Sequence, residues 1–146
     1  MDAVLTVSNK PFFKMAEDYL LEDKSVQIRI KGNSMLPFLR NGDHVELART
    51  KKNEYKIGDV VLARWKDGYV LHRIVFKGKK YFYLTGDNNL FQVESVIPES
   101  VIAGVITGHR EGHPIEVKGI TFRFKGVCWF LLRPFRWILI KFKKSK

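Results

Sequence analysis

The sequence predicts a mainly β domain, a coiled and partly closed barrel with a helix before it and a basic amphipathic helix after it. Three observations predict this. Short apolar stretches recur at close spacing between residues 26 and 124, the pattern of an antiparallel β domain. Turn signals separate them, notably Lys66-Asp67-Gly68 and Lys77-Gly78-Lys79. The stretch after residue 124 instead mixes large apolar residues with arginine and lysine and holds no acid.

Residues 1–25 form the N-terminal segment. Asn9 suits a cap, Pro11 suits a first turn, and Phe12, Met15, Tyr19 and Leu20 recur at helical steps. Residues 26–124 form the β domain. Strands are expected at Val26–Ile30, His44–Leu47, Asp59–Trp65, Tyr69–Phe76, Lys80–Thr85, Val101–Thr107, Ile115–Val117 and Ile120–Phe124. Residues 125–146 form the C-terminal segment.

At 146 residues the chain is long enough for one core and too short for two. A single cysteine, Cys128, excludes an internal disulfide and suits a reducing compartment. Four histidines without paired metal-ligand spacing predict no metal, and no cofactor motif is present. The N-terminal MDAVLTVSNK lacks a basic region followed by an apolar core, so no cleavable signal peptide is expected. The expected location is the cytoplasm.

The net charge is +11, and nine lysines and arginines fall between Lys118 and Lys146. Residues 127–146, VCWFLLRPFRWILIKFKKSK, are too interrupted to span a bilayer. They suit a helix lying at an anionic membrane surface, here the inner face. The competing readings are packing on the barrel and contact with a partner. The block is too apolar for a nucleic-acid groove, so no nucleic acid is expected.

Ser34 lies in a loop where Gly32 permits close backbone approach, Met35 is apolar beside polar neighbours, and Pro37 stiffens the chain. Such a loop holds a hydroxyl rigidly and brings N–H groups near it, as acyl transfer requires. Taken alone, a serine in a loop of this composition is an ordinary turn former. His72 shares a strand face with Val70, Ile74 and Phe76, so by itself it reads as a core histidine.

The stretch KGNSMLPFLRNGDHVEL, with Gly32, Ser34, Met35, Pro37, Gly42, Asp43 and Val45, resembles the nucleophile box of type I signal peptidases and SOS-repressor-type serine peptidases. IGDVVLARWKDGYVLHRIV resembles their general-base strand, and YLTGDNN their G-D-N box. The resemblance implies a barrel of the signal-peptidase type and a serine endopeptidase acting on an extended precursor after small residues. It makes Ser34 the nucleophile and its own N–H an oxyanion donor. His72, standing just before Arg73, is similar to the base of the Ser–His branch found in the endoplasmic reticulum and archaea. A histidine is partly neutral at pH 7 without deep burial, which suits the role.

The orienting acid is open. A hairpin about Lys77-Gly78-Lys79 places His72 opposite roughly residue 84. Asp87 is preferred as the acid, then Glu94, then a Ser–His dyad without one. His44, His109 and His113 fit a catalytic role less well. Two further readings share the fold: self-cleavage, for which residues 1–25 offer no Ala-Gly or Cys-Gly pair, and a binding module on a decayed peptidase fold.

Overall fold

The computed structural model describes residues 10–50 and 54–144; the expected cap Asn9 lies outside them. Helix α1 spans Lys10–Leu21, and eight strands follow: β1 Val26–Arg29, β2 His44–Ala48, β3 Val60–Trp65, β4 Gly68–Lys77, β5 Phe82–Thr85, β6 Glu94–Val96, β7 Val101–Arg110 and β8 His113–Ile115. Helices α2, Ile120–Leu131, and α3, Arg133–Lys144, end the described chain.

The strands form one antiparallel sheet in the order β1-β2-β7-β3-β4-β5-β6, with β8 added beside β7. Among the described residues the sheet is not closed, which corrects the expectation of a partly closed barrel. Closure requires the terminal strands to hydrogen-bond to each other. Here β6 is three residues long and is cut off by Pro98, which has no N–H to donate.

The two central strands are buried on both faces. On β3, Val60 and Leu62 enter one apolar cluster with Leu71 of β4, while Val61 and Ala63 enter another with Val70 and Ile74. Opposite burial of alternate residues is the strand period itself. Neighbours on β4 are therefore sent to different sides of the sheet, and the site depends on this.

Helix α1 buries Phe13, Ala16 and Leu20, a face shifted from the expected one, since Met15 and Tyr19 are exposed. The shift is possible because Glu17, also on the inward face, is fully engaged. Its carboxylate accepts hydrogen bonds from the Tyr69 hydroxyl and from Arg64 Nε, both at 2.7 Å. A buried acid is tolerated when it is paired in this way. Burial acts to raise the Glu17 pKa, but these hydrogen bonds outweigh it and hold the carboxyl below its ordinary value.

Residues 120–124 are helical, which corrects the expected strand. Their alternation of apolar and polar residues suits either structure over so short a run. Tertiary contact decides: Phe122 and Gly126, four apart, are the buried residues of α2 and share one helical face. Leu132 joins α2 to α3, and the Arg136 N–H still reaches the Leu132 carbonyl at 2.9 Å. The two helices are thus nearly continuous, broken where Pro134 has no N–H to donate.

Candidate active site

The nucleophile candidate sits on the loop between β1 and β2. The loop is closed at its base, where Ile30 N–H donates to Asp43 O at 2.8 Å and Gly42 N–H to Ile30 O at 2.7 Å. Gly32 adopts φ +94°, a conformation side chains resist, and its N–H is held by Asn41 Oδ1 at 2.9 Å. Met35 and Leu39 are buried in the core and anchor the segment from below. Pro37 follows on the exposed rim, joined to Leu36 by a cis peptide. Ser34 is left partly exposed at the edge.

The Ser34 carbonyl accepts the Asn88 N–H at 2.9 Å, which ties this loop to the one after β5. Between them lies buried Gly86. The position a Cβ would take there is 2.7 Å from Ser34 O, 2.8 Å from Asn89 Nδ2 and 3.1 Å from His72 Nε2. The serine backbone and the outward ring nitrogen of His72 thus converge on one point, and only glycine leaves it free.

On its other side the His72 ring is bonded to an acid. His72 Nδ1 and Glu94 Oε1 are hydrogen-bonded, with His72 7% and Glu94 1% exposed. A carboxylate accepting at Nδ1 fixes the tautomer that leaves Nε2 as the free base. Glu94 Oε2 has no hydrogen-bond partner among the described residues, which leaves His72 as this carboxylate's donor.

Asp87, the acid ranked first from the sequence, is not the one bonded to His72. Arg73 donates to it twice, Nε to Oδ1 and Nη2 to Oδ2, each at 2.8 Å. Arg73 is fully buried, its guanidinium beside the edge-on pair of Phe38 and Phe122 rings, 4.9 and 4.5 Å from their centroids. Burial raises the Asp87 carboxyl above its ordinary pKa, and the Arg73 hydrogen bonds oppose that shift. The reason for the exchange of acids is strand parity. His72 and Arg73 are adjacent, so they face opposite sides of β4, and each takes a different carboxylate.

The register supplies the rest. The hairpin turns between Gly78 and Tyr81, and a bulge between Ile74 and Phe76 moves the pairing so that Arg73 faces Thr85 and Ile74 faces Leu84. His72 therefore lies just past the end of β5, beside Gly86, and not opposite residue 84. Leu84 pairs in turn with Glu94. Glu94 is two strands from Ile74, on the side where β5 has ended, and it reaches the ring across that gap.

The sequence reading overlooked β6, and with it the local support for Glu94. Residues 127–146 were expected at a membrane surface, with packing on the β domain as a competing reading; in the structure the C-terminal helices pack on it and clamp the Gly86 loop. Trp129 Nε1 donates to Asp87 O at 2.8 Å and Arg136 to the same oxygen at 3.1 Å. Arg133 donates to Asn89 O at 2.8 Å and to the Thr85 hydroxyl. Phe122, Gly126, Trp129, Arg133 and Arg136 recur at steps of four and three, one face of the helical run. That recurrence is the signal a helical reading of residues 120–136 would have exposed.

Gly126 lies directly on the Arg73 guanidinium, and a Cβ there would overlap it. Alanine favours a helix interior by roughly 1 kcal/mol, whereas disturbing a buried ion pair costs about 3–5 kcal/mol. Gly126→Ala is therefore expected to destabilise the protein by about 2–4 kcal/mol, read from its urea midpoint. A gain in stability would show that the helix does not rest on Arg73.

The two other Gly-Asp pairs have structural roles. Asp43 accepts the Arg40 N–H at 2.8 Å and both Arg110 donors at 2.9 Å, and Asp59 accepts the Lys56 N–H at 2.8 Å. Each closes a turn that its glycine, Gly42 at φ +93° or Gly58 at φ +97°, makes possible. His44 and His109 face each other across β2 and β7, and His113 pairs with Arg110 at the far end of β7.

The chain is 25% identical over 128 residues to an uncharacterized protein of Methanocaldococcus jannaschii, a match covering 80% of this chain. It spans 60% of that relative's length. The Peptidase S24-like family model matches residues 4–107, the stretch that carries Ser34, His72, Gly86 and Glu94. The chain belongs to the Peptidase S24-like family.

Proposed function

We propose that this protein is a serine endopeptidase with Ser34 as nucleophile, His72 as general base and Glu94 as the acid that orients the base. One observation carries the reading: His72 offers Nδ1 to a buried carboxylate and Nε2 to the point where the Ser34 loop meets Gly86. A histidine that only filled the core would need neither.

In this mechanism Ser34 Oγ attacks the scissile carbonyl carbon while His72 Nε2 takes the hydroxyl proton. The charge developing on the carbonyl oxygen is met by the Ser34 N–H. As the intermediate collapses, the imidazolium gives its proton to the leaving amine. Water then attacks the acyl carbon as His72 takes one of its protons; the bond from that carbon to Oγ breaks, the imidazolium returns the proton to Ser34 Oγ, and the acyl group leaves as a carboxylate. Glu94 supports the imidazolium throughout and does not take its proton. The substrate is an extended precursor peptide with small residues next to the cut, a selectivity that follows from the resemblance of the three sequence boxes to signal-peptidase boxes. The strand edges offer a peptide backbone a place to pair.

A fluorophosphonate probe tests the assignment. Labelling is expected on Ser34 in the native chain, with none in Ser34→Ala and a loss of at least a hundredfold in His72→Ala. Labelling that persists in Ser34→Ala, or native protein that never labels, would remove the hydrolase reading and favour a binding module. Intact mass separates action in trans from self-cleavage: the full-length mass is expected to persist.

A further inference from the structure

Helix α3 carries two stripes. One, through Arg133, Arg136 and Trp137, faces the Gly86 loop, where Trp137 meets Phe91 at 6.5 Å between ring centroids. The other faces solvent. Phe135, Ile138, Leu139 and Phe142 recur at steps of three, one and three, one helical face, and are 64, 41, 64 and 65% exposed. Leu131 and Phe124 extend exposed apolar surface along α2. A contiguous apolar face of this extent marks a contact.

The flanking charges identify its occupant. At about 100° per residue, Lys141 and Lys143 fall roughly a quarter turn to either side of the stripe. Lys141 Nζ lies over the Trp137 ring, 4.7 Å from its centroid, and the long stems of both lysines let their ammonium groups reach a headgroup layer beside the stripe. No acid occurs between Lys118 and Lys146. A second copy laid on this face would bring the same cations against these, with no carboxylate on either helix to pair them. Anionic headgroups complement them. Among the described residues no helix is long and apolar enough to cross a membrane, so the helix would lie in the plane of the surface.

We infer that α3 docks on an anionic membrane, with Phe135, Ile138, Leu139 and Phe142 at the acyl boundary and Lys141 and Lys143 among the phosphates. The inward stripe of the same helix holds the Gly86 loop, so the cleft lies about one helix diameter, roughly 10 Å, from the headgroups. The consequence for substrate, a peptide bond presented close to a membrane surface, rests on the peptidase reading. The docking does not.

The test is flotation of the full chain with vesicles of phosphatidylcholine alone or with a third phosphatidylserine. Binding to the anionic vesicles is expected, at least tenfold weaker on the neutral ones and weakening as salt rises. Lys141→Glu with Lys143→Glu is expected to lose at least thirtyfold in vesicle affinity, the thirtyfold coming from the two lost cations alone, and Leu139→Ser with Phe142→Ser about thirtyfold or more. Serine-probe labelling in solution should be unchanged in both double variants. Equal binding to both vesicles, or no binding to either, overturns the proposal. So does a dimer by light scattering that Leu139→Ser with Phe142→Ser abolishes while vesicles are ignored. Because Ser34→Ala should bind vesicles like the native chain, failure of the docking and failure of the serine chemistry read out separately.

Discussion

Glu94→Gln is expected to slow acylation by about 10⁴-fold while the chain stays folded. The substitution keeps the shape of a side chain that is 1% exposed but removes the charge beside His72 Nδ1. An amide also offers its N–H₂ group to the ring, which favours the tautomer with its proton on Nε2, the nitrogen that must be free to accept from Ser34. Two effects then act in one direction: the wrong tautomer is populated, and the imidazolium of the transition state loses its counter-charge. The loss should fall on the rate of probe labelling, and on kcat once a peptide substrate is in hand, with little change in thermal midpoint. A Glu94→Gln protein that labels within tenfold of the native rate would mean that His72 works as a dyad with Ser34.

Asp87→Asn is expected to do the reverse. Arg73 is fully buried, and Asp87 accepts two of its hydrogen bonds. Neutralising the acid leaves a guanidinium with no counter-charge in the interior, which costs about 3–5 kcal/mol. Against a total stability of about 5–15 kcal/mol that is a large fraction, and the thermal midpoint should fall by roughly 10 °C. The Gly58 carbonyl, 2.6 Å from Arg73 Nη1, and the two neighbouring rings keep the loss from being greater. Below the new midpoint, labelling of Ser34 should stay within about tenfold of native. If the rate fell by 10⁴ and the midpoint held, Asp87 would be the orienting acid and Glu94 a buried bystander. The two substitutions therefore separate one carboxylate that serves chemistry from one that serves the fold.

The predictions differ because neighbouring residues differ, and this is where the sequence was informative and where it stopped. The Ser34 loop was legible: glycine at a left-handed position, serine on the rim and methionine in the core are local properties of G-N-S-M. The strand pairs β3–β4 and β4–β5 were legible from their turn residues. Three things were not. The bulge after Ile74 and the turn at Gly78–Tyr81 set the register of β5, and nothing in single-residue preference distinguishes that register from the one that puts His72 opposite residue 84. Strand β6 is too short to show a period. Residues 120–124 alternate as a strand would, and became helix because Phe122 and Gly126 fit against Arg73.

By itself the sequence determined which side chains could do chemistry and on what kind of local support. A hydroxyl on a stiff loop, an imidazole on an apolar strand and two acids after a Gly-Asp turn follow from residue types and short spacings. The tertiary structure alone decided how the acids were shared. Glu94 and Asp87 are equally good carboxylates, and both lie within a few residues of the same loop. Adjacent positions on β4 face opposite sides of the sheet, so the histidine received one acid and the arginine the other. That choice depends on register and burial across three strands and a helix, distances over which residue preferences carry no information.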